Sequence, residues 1–184
     1  MSRFDPALLE RALAYVGRPL PQPPVEDAAE QAVQLAAALC RRFEDFVSAP
    51  YLCSAGVPSI GYGATFYLDG RRVQLTDAPI SRETAERLML ATLRTVYLPA
   101  VLKLCPGART PGQLAALLDF AFNLGPGALA SSTLRRVVNA GEWDQVPAQL
   151  RRWVYAGGKR LRGLVLRREA EIAMLTGWRE MLPA

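Results

Sequence analysis

Histidine is missing from all 184 residues, and that absence closes off several chemistries at once. No serine–histidine–aspartate triad, cysteine–histidine pair, histidine-bearing zinc site or imidazole switch can be assembled. Cysteine is scarce. Cys40, Cys53 and Cys105 are odd in number and lack a CxxC spacing, which excludes a fully paired disulfide framework and a zinc knuckle and fits synthesis in a reducing cytoplasm. An unbroken apolar run is also lacking: the first, Ala7 to Val16, is interrupted by Glu10 and Arg11. Neither a signal peptide nor stable membrane insertion is expected, so action outside the cytoplasm would need another release route. No metal or other cofactor is expected.

What remains is an ordinary globular composition, 51% hydrophobic and 21% charged, in a chain long enough for one domain with a real core. Twenty-two basic residues, nearly all arginine, against 17 acids give a net charge of +5. Nucleic acid, an anionic membrane surface and an anionic wall polymer satisfy that charge equally.

Along the chain, Asp5-Pro6 offers a cap and first-turn proline for a short amphipathic helix through Leu8, Leu13 and Val16. Pro19, Pro21, Pro23 and Pro24 then form a stiff connector, so residues 1–24 read as an appendage and 25–184 as the main domain. Apolar residues at helical spacing predict a helix from Glu26 to Phe46. Between Pro50 and Leu75 the texture turns to glycine, aromatic and β-branched residues. Asp69-Gly70, flanked by 65–68 and 71–75, predicts a hairpin in a small sheet of three short strands. The rest reads as helix: one capped by Ser81 and bent or broken near Pro99, one opened by the capping-box spacing Thr110 to Gln113, short ones at 132–139 and 143–154, and a last from about Arg160 to Leu175. The fold class expected is α+β, mostly helical, with a small antiparallel sheet lobe beside a larger helical lobe.

Two positions stand out. Glu44 closes the helix of residues 26–46, where the negative end of the dipole and the flanking Phe43 and Phe46 should push a carboxyl pKa upward, as a general acid needs; the plainer reading is a solvated surface acid. Arg168 falls within the apolar stripe Leu161, Leu164, Val165, Ile172 and Leu175. Either its stem covers apolar surface while its head reaches water, or it is a partly buried guanidinium aimed at a carboxylate, a catalytic one included.

Glu44, eight residues, Cys53, five residues, Ser59, then Ile60-Gly61-Tyr62-Gly63 is similar to the Glu-x8-Asp/Cys-x5-Thr signature of phage-type lysozymes, the glycoside hydrolase family 24 endolysins. Residues 113–117, 120–125, 132–135, Asn139-x-Gly141, Trp153 and 157–164 with Arg167-Arg168 resemble that family's downstream blocks in order and spacing. The resemblance covers roughly residues 35–177. It implies a lysozyme (muramidase) hydrolysing the β-1,4 bond between N-acetylmuramic acid and N-acetylglucosamine in peptidoglycan. Glu44 would be the proton donor, Cys53 the group across the sugar that activates water or attacks the anomeric carbon, and Ser59 the hydroxyl holding water. Gln113, Asn123, Gly158 and Lys159 are candidates for binding the sugar chain, although Gln113 equally suits a capping box. The partners implied are glycan strands and a holin-type release route from the host cytoplasm to the periplasmic wall, with the protein acting as a monomer.

Three departures stand out. Cys53 replaces a permanent charge with a thiol of pKa about 8.5, which leaves open whether the anomeric centre inverts or is retained. Ser59 keeps the hydroxyl of the family's threonine. Ala64 stands where many members carry histidine. Read without the resemblance, Cys53 is a small buried hydrophobe, and Cys40 and Cys105 are packing residues, with a Cys40–Cys53 redox lock as the alternative. A basic nucleic-acid-binding module and a degenerate lysozyme fold that only binds glycan are the rival readings. Against the first, the arginines are spread over several helices and leave the glycine-rich sheet unexplained, so no nucleic acid is expected. Phosphate-loop chemistry is set aside because Arg160, not Ser or Thr, follows Gly157-Gly158-Lys159.

Overall fold

The computed structural model describes residues 25–53 and 56–175. The helix expected at 8–16 and the proline connector lie outside them. Helix α1, Val25–Phe43, buries Ala28, Ala32, Ala36 and Leu39, as its spacing predicted, together with Val33 and Cys40, while Leu35 and Phe43 are partly buried. It ends before Phe46: the Glu44 amide donates to the Cys40 carbonyl at 2.8 Å, closing the last turn, and the chain goes straight into a strand.

That strand, β1 (Val47–Leu52), pairs antiparallel with β2 (Pro58–Gly61), with Tyr51 opposite Ser59 and an irregularity between Val47 and Tyr51. The turn at Asp69-Gly70 forms, with Gly70 at φ 83° and the Tyr67 amide donating to the Arg71 carbonyl at 2.8 Å. Its arms do not become strands. They make one bridge, Phe66 to Arg72, beside another between Ile60 of β2 and Ala64, so the expected three-stranded sheet is corrected to two strands and a turn. Gly61 is needed where the sheet meets the next helix: φ is +68°, and a Cβ there would lie 2.7 Å from Ala85 Cβ.

Ser81 caps helix α2, Arg82–Thr92, by accepting from the Thr84 amide at 3.1 Å. The break expected near Pro99 is a wider turn: residues Leu93–Tyr97 are π-helical and lead into α3, Leu98–Leu104, with Pro99 in its first turn, where no amide is missed. Helix α4, Pro111–Leu124, is the axis of the large lobe, with Leu114 through Ala121 all buried. It packs on α1 and on the last helix, α8 (Arg162–Leu175). Phe120 is fully buried and meets Trp153 edge-on, ring centroids 5.2 Å apart; removing a ring packed like this costs about 3–5 kcal/mol. Around it run α5 (Pro126–Ser131), α6 (Thr133–Asn139) and α7 (Val146–Leu150), the last shorter than the 143–154 expected. A hairpin that the sequence reading missed, β3 (Tyr155–Ala156) and β4 (Lys159–Arg160), turns through Gly157 and Gly158 at φ 55° and 74°. A small satellite core of Ile60, Val73 and Leu88 ties the sheet lobe to α2.

Candidate active site

A cleft of about 690 Å³ opens between the sheet lobe and the helical lobe. Glu44, Tyr51 and Cys53 line it from the end of α1 and from β1, and Tyr97, Phe122 and Asn123 line it from the helical side. Among the described residues no group of three or more Cys, Asp or Glu could hold a metal ion.

The α1 terminus and its strand continuation aim Glu44 at the cleft, and a cation from the far end of the chain holds it there. Arg167, on α8, donates through Nη1 to Glu44 Oε1 at 2.5 Å. The rest of that guanidinium faces inward, Nε and Nη2 donating to the two oxygens of Asp119 on α4 at 2.8 and 2.9 Å. Arg167 and Asp119 are shut from solvent, at 4% and 0% side-chain exposure, whereas Glu44 keeps 31%, so only the carboxylate on the cleft can meet a substrate. Burial pulls the Arg167 pKa down, but the hydrogen bond and charge of Asp119, with Glu44 behind, hold it well above the ordinary value. The cation is permanent. Cys40 Sγ donates to Asp119 Oδ1 at 3.6 Å, and burial first, then the Asp119 charge, push that thiol well up, so it stays protonated. To the helix terminus and the phenylalanines that the sequence puts beside Glu44, the structure thus adds a guanidinium of opposite electrostatic sign, itself packed over the Phe43 ring at 5.7 Å.

Arg168 is fully buried and aimed at a carboxylate, but that carboxylate is Glu171, at 2.6 Å, and not Glu44; its Nη2 donates to Asn123 Oδ1 at 3.1 Å. The arginine that reaches Glu44 is its neighbour. Successive residues on a helix point about 100° apart, so one position decides which carboxylate a guanidinium reaches. Glu171 is equally buried, and burial, then the Asp119 charge, push its carboxyl well above the usual range.

Cys53 is half-buried, its amide bonded to the Val57 carbonyl at 3.0 Å, which folds the loop back on β1. Tyr51 was missed in the sequence. Its phenol is pushed up by burial and then by the nearby Glu44 and Cys53, so it belongs to both groups' surroundings. Ser59 is 1% exposed, does not line the cleft, and donates to the Val57 carbonyl at 3.1 Å. Gln113 is spent on the capping box, its Oε1 accepting from the amides of Arg109 and Thr110 at 2.9 and 3.1 Å. Gly158 and Lys159 are exposed on the β3–β4 hairpin, outside the cleft lining. The structure therefore brings Glu44, Cys53 and Asn123 together and leaves Ser59, Gln113, Gly158 and Lys159 elsewhere. Asp119 had a visible signal: one acid inside the apolar run Leu114–Leu124 needs a buried partner.

A sequence model described as phage lysozyme matches residues 41–171. The SAR-endolysin of Escherichia phage Mu is 34% identical over 131 residues, 71% of this chain and 72% of that one. The endolysin of Bacillus phage B103 is 41% identical over 99 residues, 53% of this chain but only 37% of that longer protein. Among solved structures, a point mutant of P22 lysozyme superposes with a TM-score of 0.66 at 28% identity, covering 77% of this chain and 94% of that one. Taken with a glutamate that closes a helix at the mouth of a two-lobed cleft, these matches make the chain a member of the phage lysozyme family.

Proposed function

We infer that the protein is an endolysin-type muramidase that cleaves the β-1,4 bond between N-acetylmuramic acid and N-acetylglucosamine in bacterial peptidoglycan. One observation carries this reading: Glu44 and Cys53 line the same open cleft, with Glu44 fixed by Arg167 from behind. A glycosidic bond needs a proton donor at the leaving oxygen and a second group on the other face of the sugar. Glu44 is the donor. Cys53 acts across the ring, either as base toward a water or, once ionised, as nucleophile. Asn123, held by Arg168, offers its amide to the glycan. The positive net charge draws the enzyme to an anionic wall. Synthesis in the host cytoplasm, passage through a holin-type lesion and action as a monomer complete the proposal. Among the described residues, no helix is long and apolar enough to cross a membrane.

The test is release of reducing ends from purified peptidoglycan. Glu44→Gln keeps shape but has no proton to give, and should lower kcat by about 10²–10⁴. Full activity in that variant overturns the assignment, and binding without hydrolysis by the unaltered protein makes it a glycan-binding lysozyme fold. Cys53→Ala should lose activity and Cys53→Asp keep or raise it. Equal rates in both remove Cys53 from the site, and the anomer first formed, read by NMR, separates base from nucleophile.

A further inference from the structure

The geometry points to Asp119 as a positioning residue for the proton donor: by binding both inner nitrogens of Arg167, it fixes the direction of the guanidinium and cancels its charge, so that Glu44 is anchored without facing a net positive group. This rests on Glu44 being the donor.

An acid that must give up a proton each turnover is poorly served by a bare cation at hydrogen-bond distance, which holds it as the anion. A solvated arginine would avoid that, but its long side chain would not hold one direction. Here the guanidinium has three hydrogen bonds to two carboxylates, and the inner carboxylate is 0% exposed, so its charge is opposed by Arg167 more than by water.

The other groups around this chain of contacts do not supply the missing charge. Cys40 on α1, Tyr51 on β1 and Tyr97 on the π-helical turn all have their pKa values raised, burial being the first cause in each, and are neutral near pH 7. Glu171 on α8 is pushed toward its neutral form, and Arg168, which also feels the Asp119 charge, is held by Glu171 at 2.6 Å and Asn123 and makes no hydrogen bond to Asp119 or Glu44. Arg42 and Asp45 are exposed and act through solvent. Cys53 lines the same cleft as Glu44, whereas the inner nitrogens of Arg167 are held by the fully buried Asp119. Asp119 is thus the counter-charge to Arg167.

The experiment is the pH–activity profile of the full chain on purified peptidoglycan, with kcat and KM separated, for the unaltered protein, Asp119→Asn, Arg167→Gln and the double variant. Glu44→Gln is run alongside, and folding is checked by circular dichroism. Asp119→Asn leaves the cation uncancelled: the alkaline limb should move down by about one pH unit, and kcat at the old optimum should fall roughly tenfold to a hundredfold as the guanidinium loosens. Arg167→Gln removes the cation and should move the limb up. The double variant removes a neutral pair and suits amide–amide bonding, so its limb should lie between the two single variants, with kcat still lowered and KM unchanged. An unmoved or raised limb in Asp119→Asn overturns the inference, as does a double variant with the kcat of the unaltered protein. If a single variant fails to fold, the double variant's kcat decides. Activity surviving in Glu44→Gln would instead sink the donor assignment itself.

Discussion

Each lobe of the protein holds an arginine against an aspartate at nearly the same distances. Arg167 meets Asp119 at 2.8 and 2.9 Å in the helical lobe, and Arg71 meets Asp77 at 2.9 and 3.0 Å beside the sheet. Their surroundings differ: side-chain exposure is 4% and 0% in the first pair, 48% and 15% in the second. The first presents two nitrogens to two oxygens; the second straddles both oxygens with Nη1 alone. In water an ion pair gains little over its two hydrated partners, whereas inside the protein neither partner can be removed without stranding the other. Similar bonds therefore lock a turn in one lobe and hold the carboxylate proposed as proton donor in the other.

The harshest way to break the contrast is Arg167→Ala. It leaves Asp119 buried with the Cys40 thiol and the Glu171 carboxyl as its remaining partners and should cost about 3–5 kcal/mol in urea unfolding, with peptidoglycan hydrolysis lost. A cost below about 1 kcal/mol would mean that Asp119 escapes its burial by rearrangement, and the two lobes would then be electrostatically alike.

Much of this was legible in the sequence. The capping box at Thr110 and Gln113 and the Ser81 cap are local patterns, set by a few neighbouring residues, and formed as expected, whereas α1 stops at Phe43 instead of Phe46. The hairpin arms at 65–68 and 71–75 failed because strand propensity cannot supply a partner edge: the chain gave that edge to β1, which pairs with β2 instead. The site divided on the same line. Glu44 and Cys53 are marked by the resemblance to the family signature, but whether Ser59 faces the cleft and which of two adjacent arginines reaches Glu44 depend on strand placement and helix rotation. Those are fixed by contacts between residues up to 123 positions apart. Asp119 alone carried a sequence signal that was not used.

A middle-sized effect is expected from Glu171→Gln. Burial raises the folded-state pKa of Glu171 above its unfolded value, so its contribution to stability is full below about pH 4.3 and declines as pH rises toward the raised value. The glutamine variant lacks that decline. Its unfolding free energy should match that of the unaltered protein in acid and exceed it progressively toward neutral pH, by about 1–3 kcal/mol at pH 7. Parallel curves would mean that Glu171 is ionised in the fold, its charge fully met by Arg168.

The smallest effect belongs to Asp77→Asn, in the exposed lobe, where the sign is opposite. The Gln74 amide, then Arg71 and Tyr67, hold the Asp77 carboxyl below its usual range, so its stabilisation is present above the ordinary carboxylate pKa and lost as pH falls through the lowered one. Asparagine can still accept from the Gln74 amide, so near neutral pH only the ion-pair part is removed, and salt already weakens that part with a screening length of about 10 Å at 0.1 M. The melting temperature should drop slightly at low salt and converge with the unaltered protein at about 1 M salt, where the screening length is only about 3 Å, hydrolysis remaining unchanged. A drop that persists in salt would show that Asp77 works through directed bonds, to the Gln74 amide and the Tyr67 hydroxyl at 2.8 and 3.1 Å, and that the exposed lobe too depends on geometry more than on charge.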